Sequence, residues 1–76
     1  MQEREIFELI IKADEALKYA TEEKKQARAR QARTWLTQAR DEARAIGNQA
    51  LIDQADRRLA DLEALVGEDA SPGSPS

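Results

Sequence analysis

The stretch of sequence with the clearest chemical potential is "KKQARARQARTWL", residues 24–36, which holds five cationic side chains and the only Trp of the chain. Guanidinium and ammonium groups bind phosphates and carboxylates, and Trp and Arg are enriched at the energetic centres of protein interfaces. Two functions are therefore open for this stretch, binding to nucleic acid and binding to an acidic protein surface. A third possibility is that these cations form only the solvated side of a packed helix.

The arginines fall into two groups when the region is drawn as a helix with about 100° per residue. One group lies beside the apolar arc, on a single flank interrupted only by Thr37. Trp35 and Arg28 lie on the opposite flank, one heptad apart. The candidate partner-binding residues are Arg28, Arg30, Arg33, Trp35, Arg40 and Arg44. We expect Trp35 either to cover the core or to anchor a protein interface.

The distribution of charge argues against a nucleic-acid function. Residues 24–44 hold seven cationic and two acidic side chains, a net charge of +5, so the rest of this chain of net charge −3 must carry −8. A basic helix between acidic ones favours ion pairs within the fold or between subunits, for example with Asp56 or Glu63. Nucleic-acid binders are more often basic overall, whereas the pI here is about 4.9. We therefore expect a structural or protein-binding role for the arginines.

Residue types that usually perform catalysis are missing. The chain has no His and no Cys, which removes the commonest general base, the usual zinc ligands and any disulfide. Its three glycines are isolated, so there is no phosphate-binding loop. Adjacent acids such as Asp41 and Glu42 diverge by about 100° on a helix and do not converge on a metal. We expect a protein that is not an enzyme and that has no cofactor and no metal.

The elements that carry these residues are predicted to be three amphipathic helices, over about 3–20, 21–46 and 48–66. Apolar residues recur at alternating steps of four and three in three blocks. Gly47 and Asn48 favour a tight turn between the second and third helices. The apolar stripe changes phase between residues 21 and 28, so we expect a break near Tyr19 to Thr21, with Thr21 as the helix cap. One continuous helix over 3–46 is the alternative. The three expected core stripes are Ile6, Ile10, Ala13, Leu17 and Ala20; Ala29, Ala32, Leu36, Ala39, Ala43 and Ile46; and Ile52, Ala55, Leu59, Leu62 and Val66.

The fold class that follows is all-α, a three-helix bundle or a helical hairpin with an extra N-terminal helix, over residues 1–67. Residues 68–76 are rich in Ser, Pro and Gly and are predicted to be a disordered tail. A domain this small gains much from self-association, and the composition is typical of long helices or coiled coils, so we expect a homo-oligomer, most simply a dimer. The apolar run "IFELII" near the N-terminus is wider than one neighbour would cover. Either the first helix is sandwiched between the other two, or its extra face meets another chain.

No signal peptide or membrane-spanning segment is evident, so we expect a cytoplasmic protein that does not enter a membrane. Residues 32–65, "ARTWLTQARDEARAIGNQALIDQADRRLADLEAL", resemble a single tetratricopeptide-type helical hairpin. The resemblance rests on Leu36, Ala39, Ala43, Gly47, Asn48, Ile52, Ala55, Leu59 and Leu62. It implies a protein-binding scaffold without catalytic residues. The functional hypothesis is a non-catalytic interaction module, such as a small adaptor, inhibitor or assembly factor. The alternatives are a nucleic-acid-associated regulator and a purely structural oligomerisation domain.

Overall fold

The chain folds into three α-helices, seen in a computed structural model that describes residues 1–70, with side chains up to Ala64. Helix α1 spans Glu3–Lys18, α2 spans Lys25–Ile46 and α3 spans Gln49–Ala70. The described part contains no strand. The all-α three-helix bundle predicted from the sequence is confirmed. No helix within this part is both long and apolar enough to cross a membrane.

Helix α2 is the central element of the bundle. It packs along both α1 and α3, whereas α1 and α3 approach each other at fewer places. Asn48 donates a hydrogen bond to Glu3 at 2.7 Å, and Arg58 donates one to Asp14 at 2.9 Å, so α1 and α3 run parallel. The Cα atoms extend over 40 × 26 × 13 Å, a flat slab with α2 in the middle. The alternative in which α1 is sandwiched between the other two helices is therefore wrong.

The core is formed by the small or branched apolar side chains that face α2 or belong to it. Buried as predicted are Ile6, Ile10, Ala13, Ala29, Ala32, Leu36, Ala39, Ala43, Ala55 and Leu62. Four predicted core residues are only half-buried, namely Leu17, Ala20, Ile52 and Leu59, and a fifth, Ile46, is 41% exposed. Two residues that the predicted stripes omitted are buried, Ala16 and Leu51. Met1 pairs with Glu42, so the start of the chain is level with that residue of α2. Ile46, the last residue of α2, lies about one turn beyond Glu42, and α1 therefore does not cover it. The side chain of Val66 lies outside the described residues.

The connection between α1 and α2 breaks the chain where the change of phase indicated, but it is longer than predicted. Helix α1 ends at Lys18, and α2 begins at Lys25 instead of residue 21. Thr21 does not cap α2. Its hydroxyl and carbonyl oxygens accept bonds from the backbone N–H of Lys24, at 3.3 and 3.1 Å, and this closes a turn ahead of the helix. The turn leaves α2 without an acidic side chain in its first turn.

The connection between α2 and α3 is the predicted tight turn. Gly47 adopts the left-handed conformation, with φ of 71°, which a residue without Cβ reaches at no steric cost. The N–H groups of Gly47 and Asn48 bond back to the carbonyls of Arg44 and Ala43, a Schellman arrangement. Asn48 then accepts a bond at 3.1 Å from the N–H of Leu51 and so caps α3. Helix α3 continues to Ala70, past the predicted end at residue 66 and into the predicted tail. The rest of that tail, residues 71–76, lies outside the described residues.

Candidate protein-interaction surface

Helix α2 holds all six candidate residues and divides them between its two neighbours. The arginine flank, defined as Arg30, Arg33, Arg40 and Arg44, borders α3, because Arg33 contacts Glu63 there. Trp35 and Arg28 lie on the side of α1, because they share a side of α2 with Glu42, which pairs with the N-terminal amino group of Met1 at 3.6 Å. Gln31, Thr34 and Gln38 are exposed on the back of α2 and separate the two groups. The structure therefore does not bring the six residues together into one patch.

Arg33 is engaged within the fold. Its Nη2 donates a hydrogen bond of 2.8 Å to Oε2 of Glu63, one of the two acids that the sequence offered as partners. The side chains are 55% and 64% exposed, respectively, so water screens the pair and it contributes only about 0–1 kcal/mol to stability. A partner carboxylate could replace Glu63 at little energetic cost.

Arg40 is the least accommodated member of the arginine flank. Its Nε is buried and has no hydrogen-bond acceptor. The nearest carboxylate oxygen that pairs with it belongs to Asp41, at 3.7 Å, which is too long for a hydrogen bond. Helices α2 and α3 are antiparallel, and Arg33 faces Glu63. Arg40 lies seven residues further along α2, so it is level with Asp56, which lies seven residues before Glu63 in α3. A covered donor without an acceptor costs stability, typically about 1–3 kcal/mol.

Three arginines have no partner among the side chains that the structure describes. Arg30 and Arg44 are exposed and Arg28 is half-buried, and none of their three guanidinium groups forms an ion pair or a hydrogen bond with a residue of this part of the chain. Arg30 and Arg44 are 14 residues apart on one helix, a separation of about 21 Å along its axis. Their guanidinium groups are free to bind anions without disrupting the fold.

Trp35 belongs partly to the core. Its side chain is half-buried and packs against the core cluster together with Leu9 and Leu17 of α1. Trp35 therefore covers the core, as one of the two expectations had it, and only the remainder of its surface is open to another molecule. Arg28 lies two turns away along the same side of α2.

A second exposed feature, which sequence reasoning did not include among the site residues, lies on α1. Phe7 is 46% exposed and Ile11 is 38% exposed. Phe7 also lines a shallow pocket between the starts of α1 and α3, formed with Glu3, Arg4, Asn48, Ala50 and Leu51. The signal in the sequence was the width of the apolar run "IFELII", which exceeds what α2 covers.

Within residues whose side chains are described, no group of three or more acidic side chains is placed to hold a metal ion. The chain was compared with protein-family models, curated proteins and solved structures, and none of them matches it. The resemblance to a tetratricopeptide-type hairpin stays a prediction.

Proposed function

We propose that this protein is a non-catalytic protein–protein interaction module, of the adaptor, inhibitor or assembly-factor kind, which binds an acidic surface of another protein through α2. The observation that carries the proposal is that Arg30 and Arg44 on one flank of α2, and Arg28 on the other, have no partner among the described side chains. The chain is acidic, with a net charge of −3, and therefore has many carboxylates that could have paired with these arginines.

The physical case rests on what these arginines would gain from a ligand. A guanidinium group presents several N–H donors in a planar fork that matches a carboxylate, and bonds between charged groups are stronger than neutral ones. Arg30 and Arg44 fit a partner with acidic groups about 20 Å apart along a helix or a strand. Arg33 and Arg40 lie between them and could add contacts, Arg40 because its Nε still lacks an acceptor.

The experiment compares variants in which one arginine is replaced by glutamate, so that every variant changes the net charge by the same amount. Arg30→Glu and Arg44→Glu each remove a free cation of α2, and Arg57→Glu, on the exposed surface of α3, is the matched control. Tagged wild type and variants are used to recover partners from a nuclease-treated extract of the organism that encodes the chain, after circular dichroism has confirmed helix content. The dissociation constant of a recovered, purified partner is then measured by titration calorimetry.

We expect each α2 reversal to weaken binding by about tenfold or more, because a charge-assisted hydrogen bond contributes roughly 1.5–3 kcal/mol. Arg57→Glu should change the dissociation constant by less than about twofold. Equal losses in all three variants would mean that only the net charge matters and would remove α2 as the binding surface. Recovery of nothing but nuclease-sensitive material, bound with a steep dependence on salt, would favour the nucleic-acid function instead.

A further inference from the structure

The outer face of α1 exposes apolar side chains that the bundle leaves uncovered. Phe7 and Ile11 are one turn apart, and each lies about 100° around the helix from a fully buried neighbour, Ile6 and Ile10 respectively. Helix α2 covers the buried pair, and α3 reaches α1 only through Asn48 and Arg58 among the side-chain hydrogen bonds described. Phe7 and Ile11 together therefore form a small, partly exposed apolar strip, and its Phe7 end borders the shallow pocket at the start of α3.

Charged residues beside this strip are arranged in a self-complementary order. Along one flank of this strip lie Arg4, Glu8, Lys12 and Glu15, in signs plus, minus, plus and minus; Lys18 lies in line with the strip, beyond this set. If a second α1 is laid antiparallel across the first with the two-fold axis midway between residues 9 and 10, Arg4 lies level with Glu15 of the second copy. Glu8 and Lys12, and likewise Phe7 and Ile11, are then offset from each other by one residue, about 1.5 Å along the helix, which their side chains can span. A two-fold contact requires such reciprocity, because each residue must suit its counterpart in both directions.

Like charges that this arrangement would oppose are already neutralised or occupied within each chain. The same axis brings Glu3 within two residues, about 3 Å along the helix, of Asp14 in the second copy, but Asp14 already accepts two bonds from Arg58, at 2.9 and 3.0 Å. Glu3 accepts a bond of 2.7 Å from Asn48. Neither Arg4 nor Glu15 has a side-chain partner in the described part of the chain, so both are free for the second copy.

We propose that the protein forms a two-fold symmetric homodimer through antiparallel contact of the outer faces of α1, with Phe7 against Ile11 at the centre and Arg4 against Glu15 at each end. This inference is independent of the arginine flank on α2, which stays accessible in the dimer. Helix α1 has 16 residues and is about 24 Å long, so two such helices bury less than a standard protein interface. We therefore expect a reversible dimer with a dissociation constant on the order of micromolar.

The test measures the mass of the full chain by sedimentation equilibrium, from about one to several hundred micromolar, a range that brackets the expected constant. Four proteins are compared: wild type, Arg4→Glu, Glu15→Arg and the double variant carrying both changes. Each reversal adds an acid near the start of α1 or a base near its end, which suits the helix dipole and offsets the like-charge neighbours that it creates one turn away. Phe7→Ser, checked for helix content by circular dichroism, tests the apolar centre.

We expect wild type to dimerise, each single reversal to weaken dimerisation by about tenfold because two symmetry-related pairs are lost, and the double variant to recover most of the wild-type affinity. Phe7→Ser should weaken the dimer as well. A wild-type chain that stays monomeric over the whole range overturns the proposal. So do single reversals without effect, or a double variant that stays as weak as the single ones, since either outcome places the contact elsewhere. Arg44→Glu should leave the dimer unchanged, so failure of this inference is distinguishable from failure of the proposed function.

Discussion

Replacement of Ala39 by Leu tests whether α2 is the tightly packed centre of the bundle. Ala39 has no exposed surface, and α2 presents four further buried alanines or leucines in the same stripe, namely Ala29, Ala32, Leu36 and Ala43. Small side chains there let α1 and α3 approach α2 closely. Leu adds three carbon atoms at a fully buried site, which displaces neighbouring side chains and costs about 1–3 kcal/mol. For a domain of this size, each kcal/mol lowers the melting temperature by about 4–8 °C.

The matched control is Ala45→Leu, the same chemical change at an exposed position of the same helix. Surface substitutions of this kind usually change the free energy of unfolding by less than about 0.5 kcal/mol. Both variants are compared with wild type by thermal and urea denaturation followed by circular dichroism, at one protein concentration because dimerisation would couple stability to concentration. A melting temperature of the Ala39 variant that equals that of the Ala45 variant would refute the close packing of α2.

Three further predictions concern single positions. Arg40→Met should leave the free energy of unfolding unchanged or raise it by up to about 2 kcal/mol, because it removes a buried Nε without an acceptor; a loss above about 1 kcal/mol in urea titrations would reveal a strong partner for the guanidinium group. Gly47→Ala should cost about 1–2 kcal/mol from its positive φ alone, since a Cβ there would meet no atom within 4 Å, and Gly47→Asn should cost less in the same assay; equal losses would indicate a contact instead. Asn48→Ala should cost about 0.5–2 kcal/mol through loss of the α3 cap, with Asn48→Ser retaining most of the stability; an unchanged melting temperature would show that the cap is dispensable.

The candidate surface was only partly predictable. The helical wheel correctly separated Arg28 and Trp35 from the arginine flank, since angular position depends only on sequence spacing. It could not give the accessibility of each arginine, because that depends on the neighbouring helix. Arg33 is paired, the Nε of Arg40 is covered and Arg44 has no partner among the described side chains, although all three lie on the same flank. The exposed Phe7 was visible only as a surplus of apolar residues.

The sequence by itself determined the local features: three helices, the break before α2, the left-handed Gly47 and the Asn48 cap. These depend on contacts within about one helical turn, and residue types a few positions apart encode them. The tertiary structure alone decided that α2 is central, that Leu51 is buried while Ile46 is exposed, and that Arg33 faces Glu63, 30 residues away. Such features follow from the direction, register and close approach of packed helices, which are set by the fit of several side chains at once and not by any local pattern.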